Sequence, residues 1–307
     1  MNKGIDIYDI KRYALEHNIK KIVAGISGGS DSCCLLHVLK ESGIEVIALH
    51  CNFNLRGEES LRDQKFVEEL CKSLNIKLCI ISFDTDEYIR THKGNSVEMA
   101  CRNLRHKWFI ERMNEFNADR IVLGHNADDN IETFFLNLLR GSGTKGLKGM
   151  LKDNLTIWRP LLNYHKNEIL EYLKSKKAEY VTDSSNLTDD YRRNLLRNKI
   201  IPLFKSEWKG FDTALDKTIK HLNDENNVVE GSLEQILIAN KNKLPVETIK
   251  NYKAPELLIR RFLSELHPYS KTPEEIMASI QSEKPHTPEW HLPGGVVKII
   301  KGNLTIM

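Results

Sequence analysis

Cysteine is scarce, and what there is forms no pattern. The chain of 307 residues holds 6 cysteines. Cys33 and Cys34 are adjacent, while Cys51, Cys71, Cys79 and Cys101 are scattered without any C-x-x-C pair. This excludes an evenly spaced disulfide scaffold, and a reducing cytoplasm is the expected home. Long apolar runs are also missing. None approaches the roughly 18 residues that a bilayer span needs, so no membrane partner is expected. The opening MNKGIDIYDIKRYALEHN carries charge throughout and lacks the apolar core of a signal peptide. What remains is ordinary: 40% hydrophobic and 28% charged residues, the balance of a folded globular chain rather than a disordered one. The length suggests about two domains.

Neither sign of charge dominates the whole, with 45 Lys and Arg against 42 Asp and Glu. The balance is uneven along the chain: net −3 over residues 1–139, +7 over 140–205 and −1 over 206–307. The middle block could attract a polyanion, and it equally fits a solvated lysine-rich surface.

Short β-rich runs alternate with helical patterns through the first 180 residues. Residues 21–26 (KIVAGI), 44–49 (IEVIAL), 77–83 (KLCIISF) and 120–124 (RIVLG) read as buried strands. Helices are expected at 32–40, 58–74, 97–116 and 128–140, the third opened by Asn95 with Glu98 three residues on. Such alternation specifies an α/β fold, a parallel sheet with helices on both faces. Further helices are expected at 166–177 and 191–201, the latter ended by Pro202. Beyond 206 the pattern loosens into a small, mainly helical domain with helices at 233–240 and 255–266. A hairpin over 296–307 is expected to turn at Gly302 and Asn303. The domains are therefore drawn at 1–205 and 206–307.

The first strand runs directly into Ser27, Gly28, Gly29, Ser30, Asp31 and Ser32, and then into an apolar helix. Two glycines allow a tight turn that aims backbone N–H groups at an anion, and the helix start adds partial positive charge there. The segment lacks the lysine of a Walker A loop and does not match G-x-G-x-x-G. Asp31 inside an anion site calls for a divalent cation.

Two further clusters follow strand ends. One is His50-Cys51-Asn52-Phe53-Asn54-Leu55-Arg56. The other is His125-Asn126-Ala127-Asp128-Asp129-Asn130-Ile131-Glu132. In an open parallel sheet this edge is where ligands bind. Asp128 and Asp129 lie four and three residues before Glu132, so the three carboxylates share a helix face and need a cation among them. Ile131, Phe134, Phe135, Leu138 and Leu139 form the expected core-facing stripe. Next, the segment 140–150 (RGSGTKGLKGM) has four glycines and three bases without an acid, a flexible positive loop or a plain linker. Asp183-Ser184-Ser185-Asn186 leads to Arg193 and Arg197, four residues apart on one helix face and suited to phosphate.

The loop at 27–32 resembles the SGG-x-DS pyrophosphate loop of N-type ATP pyrophosphatases. Taken in order, 27–32, 50–60, 96–105 (SVEMACRNLR), 125–132, 140–150, 159–162 (RPLL) and 183–197 are similar to the tRNA(Ile)-lysidine synthetase family. One departure is Phe53, where relatives of the H-x-[DN]-H-x-L-R pattern place a second histidine.

The resemblance implies an enzyme that adenylates C2 of the wobble cytidine in a CAU-anticodon tRNA(Ile). Free L-lysine then displaces AMP, giving lysidine and changing the codon read from AUG to AUA. It implies ATP as co-substrate, held by Ser27, Gly28, Gly29, Ser30, Asp31, Ser32 and Arg105, and Mg²⁺ near Asp31 and Asp128 or Asp129. It assigns catalysis to Asp31, Asp128, Asp129 and Glu132, with Asp129 and Glu132 receiving the lysine. Lys145, Arg193 and Arg197 would contact the tRNA, and residues 206–307 stand where the family has a small tRNA-binding domain. Whether the chain pairs as a homodimer is left open, as is whether it is a short form or a truncated one. The rival readings are a tRNA thiolation enzyme, which the cysteine spacing disfavours, a glutamine-fed amidating synthetase, which would need a glutaminase domain, and an RNA-binding protein with a relic nucleotide fold.

Overall fold

The computed structural model describes residues 4–92, 94, 96–182, 191–267, 271–282 and 288–307. It divides into two compact units, Met1–His221 and Leu222–Met307.

The first unit is built on a five-stranded sheet. Its strands are β1 (Lys21–Gly25), β2 (Glu45–Asn52), β3 (Lys77–Ser82), β4 (Arg120–Val122) and β5 (Ile157–Trp158). All neighbours pair in parallel, in the order β3-β2-β1-β4-β5. The first four strands fall where the apolar runs place them. β5 has two residues, too few to register as a run.

Alternation along the strands separates two layers. Ile22 and Ala24 of β1 and Val46 and Ala48 of β2 join one core cluster, and Val23, Ile47 and Leu49 join another. The first cluster is completed by α1 (Ile7–Glu16), α2 (Ser30–Glu41), α3 (Glu58–Ser73) and α8 (Lys166–Lys176), through Ile10, Leu36, Val67 and Ile169. The second is covered by α5 (Val97–Glu115) through Trp108 and Phe109. Helices therefore cover both faces, as the alternation of elements requires. Between these lie α4 (Thr85–Thr91), α6 (Ala127–Leu139) and α7 (Thr144–Leu147).

Several local expectations are corrected. Asn95 lies outside the described residues, and α5 is capped by Ser96, whose side chain accepts from the Met99 N–H at 3.2 Å. On α6, Ile131 and Phe134 are buried but Leu138 and Leu139 are exposed. The glycine-rich segment is not a loose loop. It forms α7, fastened to α6 by Asn137 Nδ2 donating to the Gly146 carbonyl at 2.9 Å and by the Met150 N–H donating to Asn130 Oδ1 at 2.7 Å. Segment 183–186 lies outside the described residues.

Pro202 does not end its helix. α9 (Tyr191–Leu195) widens into a π turn, Leu196–Ile200, and α10 (Ile201–Glu207) follows with Pro202 in its first turn, where a missing N–H is tolerated. The unit boundary falls at 221/222 rather than 205/206. Residues just beyond 205 are tied back into the first unit: Lys205 bonds Asp128 and Asp212, and Asp216 bonds His165.

The second unit combines the later part of α11 (Phe211–Asn240) with α12 (Val246–Asn251), α13 (Pro255–Phe262) and α14 (Thr272–Gln281). Its helices accompany a four-stranded antiparallel sheet ordered β6-β9-β8-β7, made of β6 (Lys243–Pro245), β7 (Glu289–Leu292), β8 (Gly295–Ile300) and β9 (Asn303–Ile306). Leu233, Leu258, Ile276, Val297 and Leu304 fill its core. The β8–β9 hairpin turns at Lys301 and Gly302, both at positive φ, one residue earlier than expected. α11 also starts well before 233: Phe211, Leu215, Ile219 and Leu222 stand at helical spacing, and Leu215 and Ile219 are buried.

Candidate active site

The strand order reverses between β1 and β4, and the loop after β1 sits at that crevice. Gly28 has φ of +95°, which a side chain would strain. The buried Ser32 hydroxyl closes the loop: Oγ accepts from the N–H groups of Ser27 at 3.2 Å and Gly28 at 3.1 Å, and donates to the Gly29 carbonyl at 2.9 Å. From β2, buried His50 donates through Nδ1 to the Ile26 carbonyl at 2.8 Å, fixing the loop's entry. After β4, a Cβ at Gly124 would stand 3.1 Å from the Asp31 carbonyl oxygen, so glycine is what allows this approach.

A cleft of about 230 Å³ opens on this edge. Ser27, Asp31, Ser32 and Arg105 give it polar walls, and Leu49, Phe109 and Leu123 apolar ones. Phe53 also lines it and stacks on Phe83, with ring centroids 5.5 Å apart. Its ring gives the cleft an aromatic edge where the motif's second histidine would stand. His125 closes the floor. Burial, reinforced by the charges of Arg159 and Arg105, pushes its pKa down to about 3, and the neutral Nδ1 accepts from Arg159 Nε at 3.2 Å.

A second cleft, of about 490 Å³, adjoins the first through Asp31, which lines both. Asp128, Asp129 and Glu132 enter it from the first turns of α6. That helix start is set by a capping box between Asn126 and Asp129, with reciprocal bonds of 3.0 and 3.1 Å.

Each carboxylate meets a cation of the same chain. Lys166 Nζ lies 2.7 Å from Asp31 Oδ1 and 2.6 Å from Ser30 Oγ. Asp128 Oδ1 accepts from Lys205 Nζ at 2.8 Å, and Oδ2 accepts from the Lys166 N–H at 2.7 Å and faces His165 Nδ1 at 3.5 Å. Burial alone would raise the Asp128 carboxyl, but the bonds from His165, Lys205 and Lys166 outweigh it and hold the group well below the usual carboxylate range. Glu132 is only 2% exposed, and it accepts from Arg193 Nε at 2.7 Å and Arg197 Nη2 at 2.9 Å. Asp129 Oδ1 accepts from Arg197 Nη2 at 3.0 Å. Burial, and after it the Glu132 charge, raises the Asp129 carboxyl despite the Asn126 N–H.

Of the loop, Ser27, Asp31 and Ser32 line one cleft together with Arg105, while Gly28, Gly29 and Ser30 do not line it; Asp31, Asp128, Asp129 and Glu132 line the other. Arg193 and Arg197, expected to contact the tRNA, both meet the acidic cluster in this structure. Lys145 stands exposed on α7. Lys166, His165 and Lys205 belong to the site and were not singled out from the sequence; a lysine 135 residues from its partner leaves no periodic trace.

Residues 5–204 match the PP-loop domain family. The chain is 39% identical over 252 residues to the tRNA(Ile)-lysidine synthase of Bacteroides thetaiotaomicron, covering 81% of this chain and 58% of that one. It is 40% identical over 258 residues to the same-named protein of Porphyromonas gingivalis strain W83, covering 83% and 56%. The chain thus spans somewhat under three-fifths of the length of these two relatives. Among solved structures, the U34-tRNA thiolase NcsA from Methanococcus maripaludis shares the fold, with a TM-score of 0.56 at 18% identity, covering 70% of this chain and 78% of that one. The loop, the crevice in which it sits and the match over 5–204 together place this chain in the PP-loop domain family.

Proposed function

We propose that the chain ligates L-lysine to C2 of the wobble cytidine of a CAU-anticodon tRNA(Ile), using ATP and releasing AMP and pyrophosphate, in the cytoplasm. The observation that carries this reading is the sharing of Asp31 by two adjoining clefts, one built around an anion-binding loop and one around carboxylates. Two successive steps, adenylation and displacement by an amine, need such a pair of neighbouring pockets. The names of the relatives supply the RNA and the amine.

In the first cleft the loop N–H groups and the start of α2 hold the pyrophosphate of ATP, and Arg105 faces the adenylate. The carboxylate of Asp31 and the hydroxyl of Ser30 are hard oxygen donors that suit Mg²⁺, with Asp128 or Asp129 as further candidates; when bound, Mg²⁺ neutralises phosphate charge. In the second cleft Asp129 and Glu132 receive the ε-ammonium of lysine. The amine must be neutral to attack, and Asp129, raised by burial, accepts a proton more readily than an ordinary carboxylate. Arg193 and Arg197 hold these acids in place, and Lys145 meets the tRNA backbone. Catalysis lies in the first unit, and the second contacts the tRNA.

Thiolation is the weaker reading. Burial pushes the thiols of Cys33 and Cys51 up to about 12 and that of Cys71 to about 11, so none is a ready thiolate. The test is nucleotide product analysis with CAU-anticodon tRNA(Ile), with and without lysine. AMP rising only with both tRNA and lysine present, and pyrophosphate only with tRNA present, support ligation. Turnover indifferent to lysine but dependent on a sulfur donor, or release of ADP, would refute it.

A further inference from the structure

We propose that Trp208 is a stacking platform for an unpaired RNA base beside the carboxylate cleft. This rests on the RNA substrate proposed above and adds a residue and a recognition mode to it.

Three near-parallel rings tie α6 to α10 and the start of α11. Phe135 stacks on Phe204 with centroids 5.7 Å apart, and Phe204 on Phe211 at 5.5 Å. Trp208 leans on Phe204 at 5.6 Å and 50°, and its backbone N–H donates to the Phe204 carbonyl, which fixes the main chain that carries the ring. Even so it is 60% exposed, while Trp108 and Trp158 are buried. Leu203, on the same helix, is 58% exposed. An exposed indole resting on a ring stack marks a place where something flat and apolar lands.

Its surroundings say what. Over residues 197–209 four bases stand against one acid, Glu207; Arg197 and Lys205 face the carboxylates of the cleft, and Lys199 and Lys209 are exposed on the surface that carries Trp208. Cationic surface with an exposed aromatic is the combination that binds single-stranded nucleic acid, lysine and arginine along the backbone and the ring under a base. Three residues before Trp208, Lys205 lines the carboxylate cleft together with Ile201 and Pro202. About 4.5 Å of helix rise therefore separates the ring's attachment from the cleft wall. A base neighbouring one inserted in the cleft is within reach of the indole.

The experiment titrates the whole chain with a CAU-anticodon tRNA(Ile) transcript, following intrinsic fluorescence and affinity across a salt series. We expect quenching in the wild-type protein that is lost in Trp208→Ala. Affinity should fall about fivefold to a hundredfold in Trp208→Ala and far less in Trp208→Phe. The log–log salt slope should not change, because stacking releases no counterions. Wild-type affinity in Trp208→Ala, or a changed salt slope without lost quenching, would overturn the platform while leaving the RNA substrate standing. No tRNA binding by the wild-type chain would instead remove the reading on which it rests. A concentration-dependent dimer abolished by Trp208→Ala, with RNA affinity intact, would assign the surface to a second copy and overturn it.

Discussion

The ammonium of Lys166 pairs with Asp31 at 2.7 Å while the same residue's backbone N–H bonds Asp128 at 2.7 Å. One residue thus spans both clefts, its main chain on the carboxylate side and its side chain on the pyrophosphate loop. A P-loop carries its phosphate-facing lysine within the loop; here a cation reaches the loop from α8, far along the chain.

Lys166→Ala should lower AMP formation by about a hundredfold, the scale at which a positioned charge acts on a phosphate transition state. Both partners are more than a third to nearly a third exposed, so the pair adds little to stability. A steady-state assay should therefore show the loss while thermal melting stays near wild type. Unchanged AMP formation would remove Lys166 from the site.

Glu132 sits almost fully buried between two guanidinium groups. Glu132→Gln keeps the shape but leaves Arg193 and Arg197 short of a charge-matched acceptor. Denaturant unfolding should report a loss of about 1–3 kcal/mol, with lysine-dependent turnover falling as well. A variant as stable and as active as wild type would show that the pairing is incidental.

Two histidines give stability a pH window. The bonds from His165 to Asp128 and then to Asp216 raise its pKa to about 10, against about 6.5 in the unfolded chain. Its contribution is complete below 6.5 and is lost as pH rises towards 10. His125 has the opposite sign. Held down to about 3 by burial, it is neutral when folded, and the unfolded chain takes up the proton first as pH falls from 6.5 towards 3. Unfolding free energies measured across pH should decline on both sides, by at most about 1.4 kcal/mol per pH unit for each histidine. His165→Asn should flatten the alkaline side and His125→Gln the acid side. If neither changes its own side, the assignments fail.

At Gly124 an added methyl would press on the Asp31 backbone. Gly124→Ala should raise the KM for ATP several-fold with little loss of melting temperature, since β4 keeps its pairing with β1. An unchanged KM would mean that the loop yields without cost.

The parallel sheet was legible because β1 to β4 are continuous apolar runs, and the loop because six consecutive residues carry its chemistry. The carboxylates were legible as a helix-face triplet. What escaped is what depends on distance along the chain. Lys166, His165 and Lys205 gain meaning only when α8 and α10 fold against α6. That Arg193 and Arg197 meet Asp129 and Glu132 was not legible, because a basic pair on a helix looks the same whichever anion it faces. Leu138 and Leu139 continue the apolar period of α6 yet are exposed, and periodicity alone does not distinguish them from Ile131 and Phe134.

The π turn at Leu196–Ile200 has a consequence for phase. Residues eight apart on a regular helix point about 80° away from each other, at roughly 100° per residue. Arg197 and Lys205 are eight apart, yet both line the carboxylate cleft. The wide turn, in which the Ile201 N–H reaches back to the Leu196 carbonyl, absorbs one residue, so the pair behaves as if separated by seven. Straightening it would also set Pro202 against a regular i−4 carbonyl, which the ring cannot accommodate without a kink. The bulge and the proline therefore hold each other in register, and Arg197 and Lys205 stay on one side of the cleft.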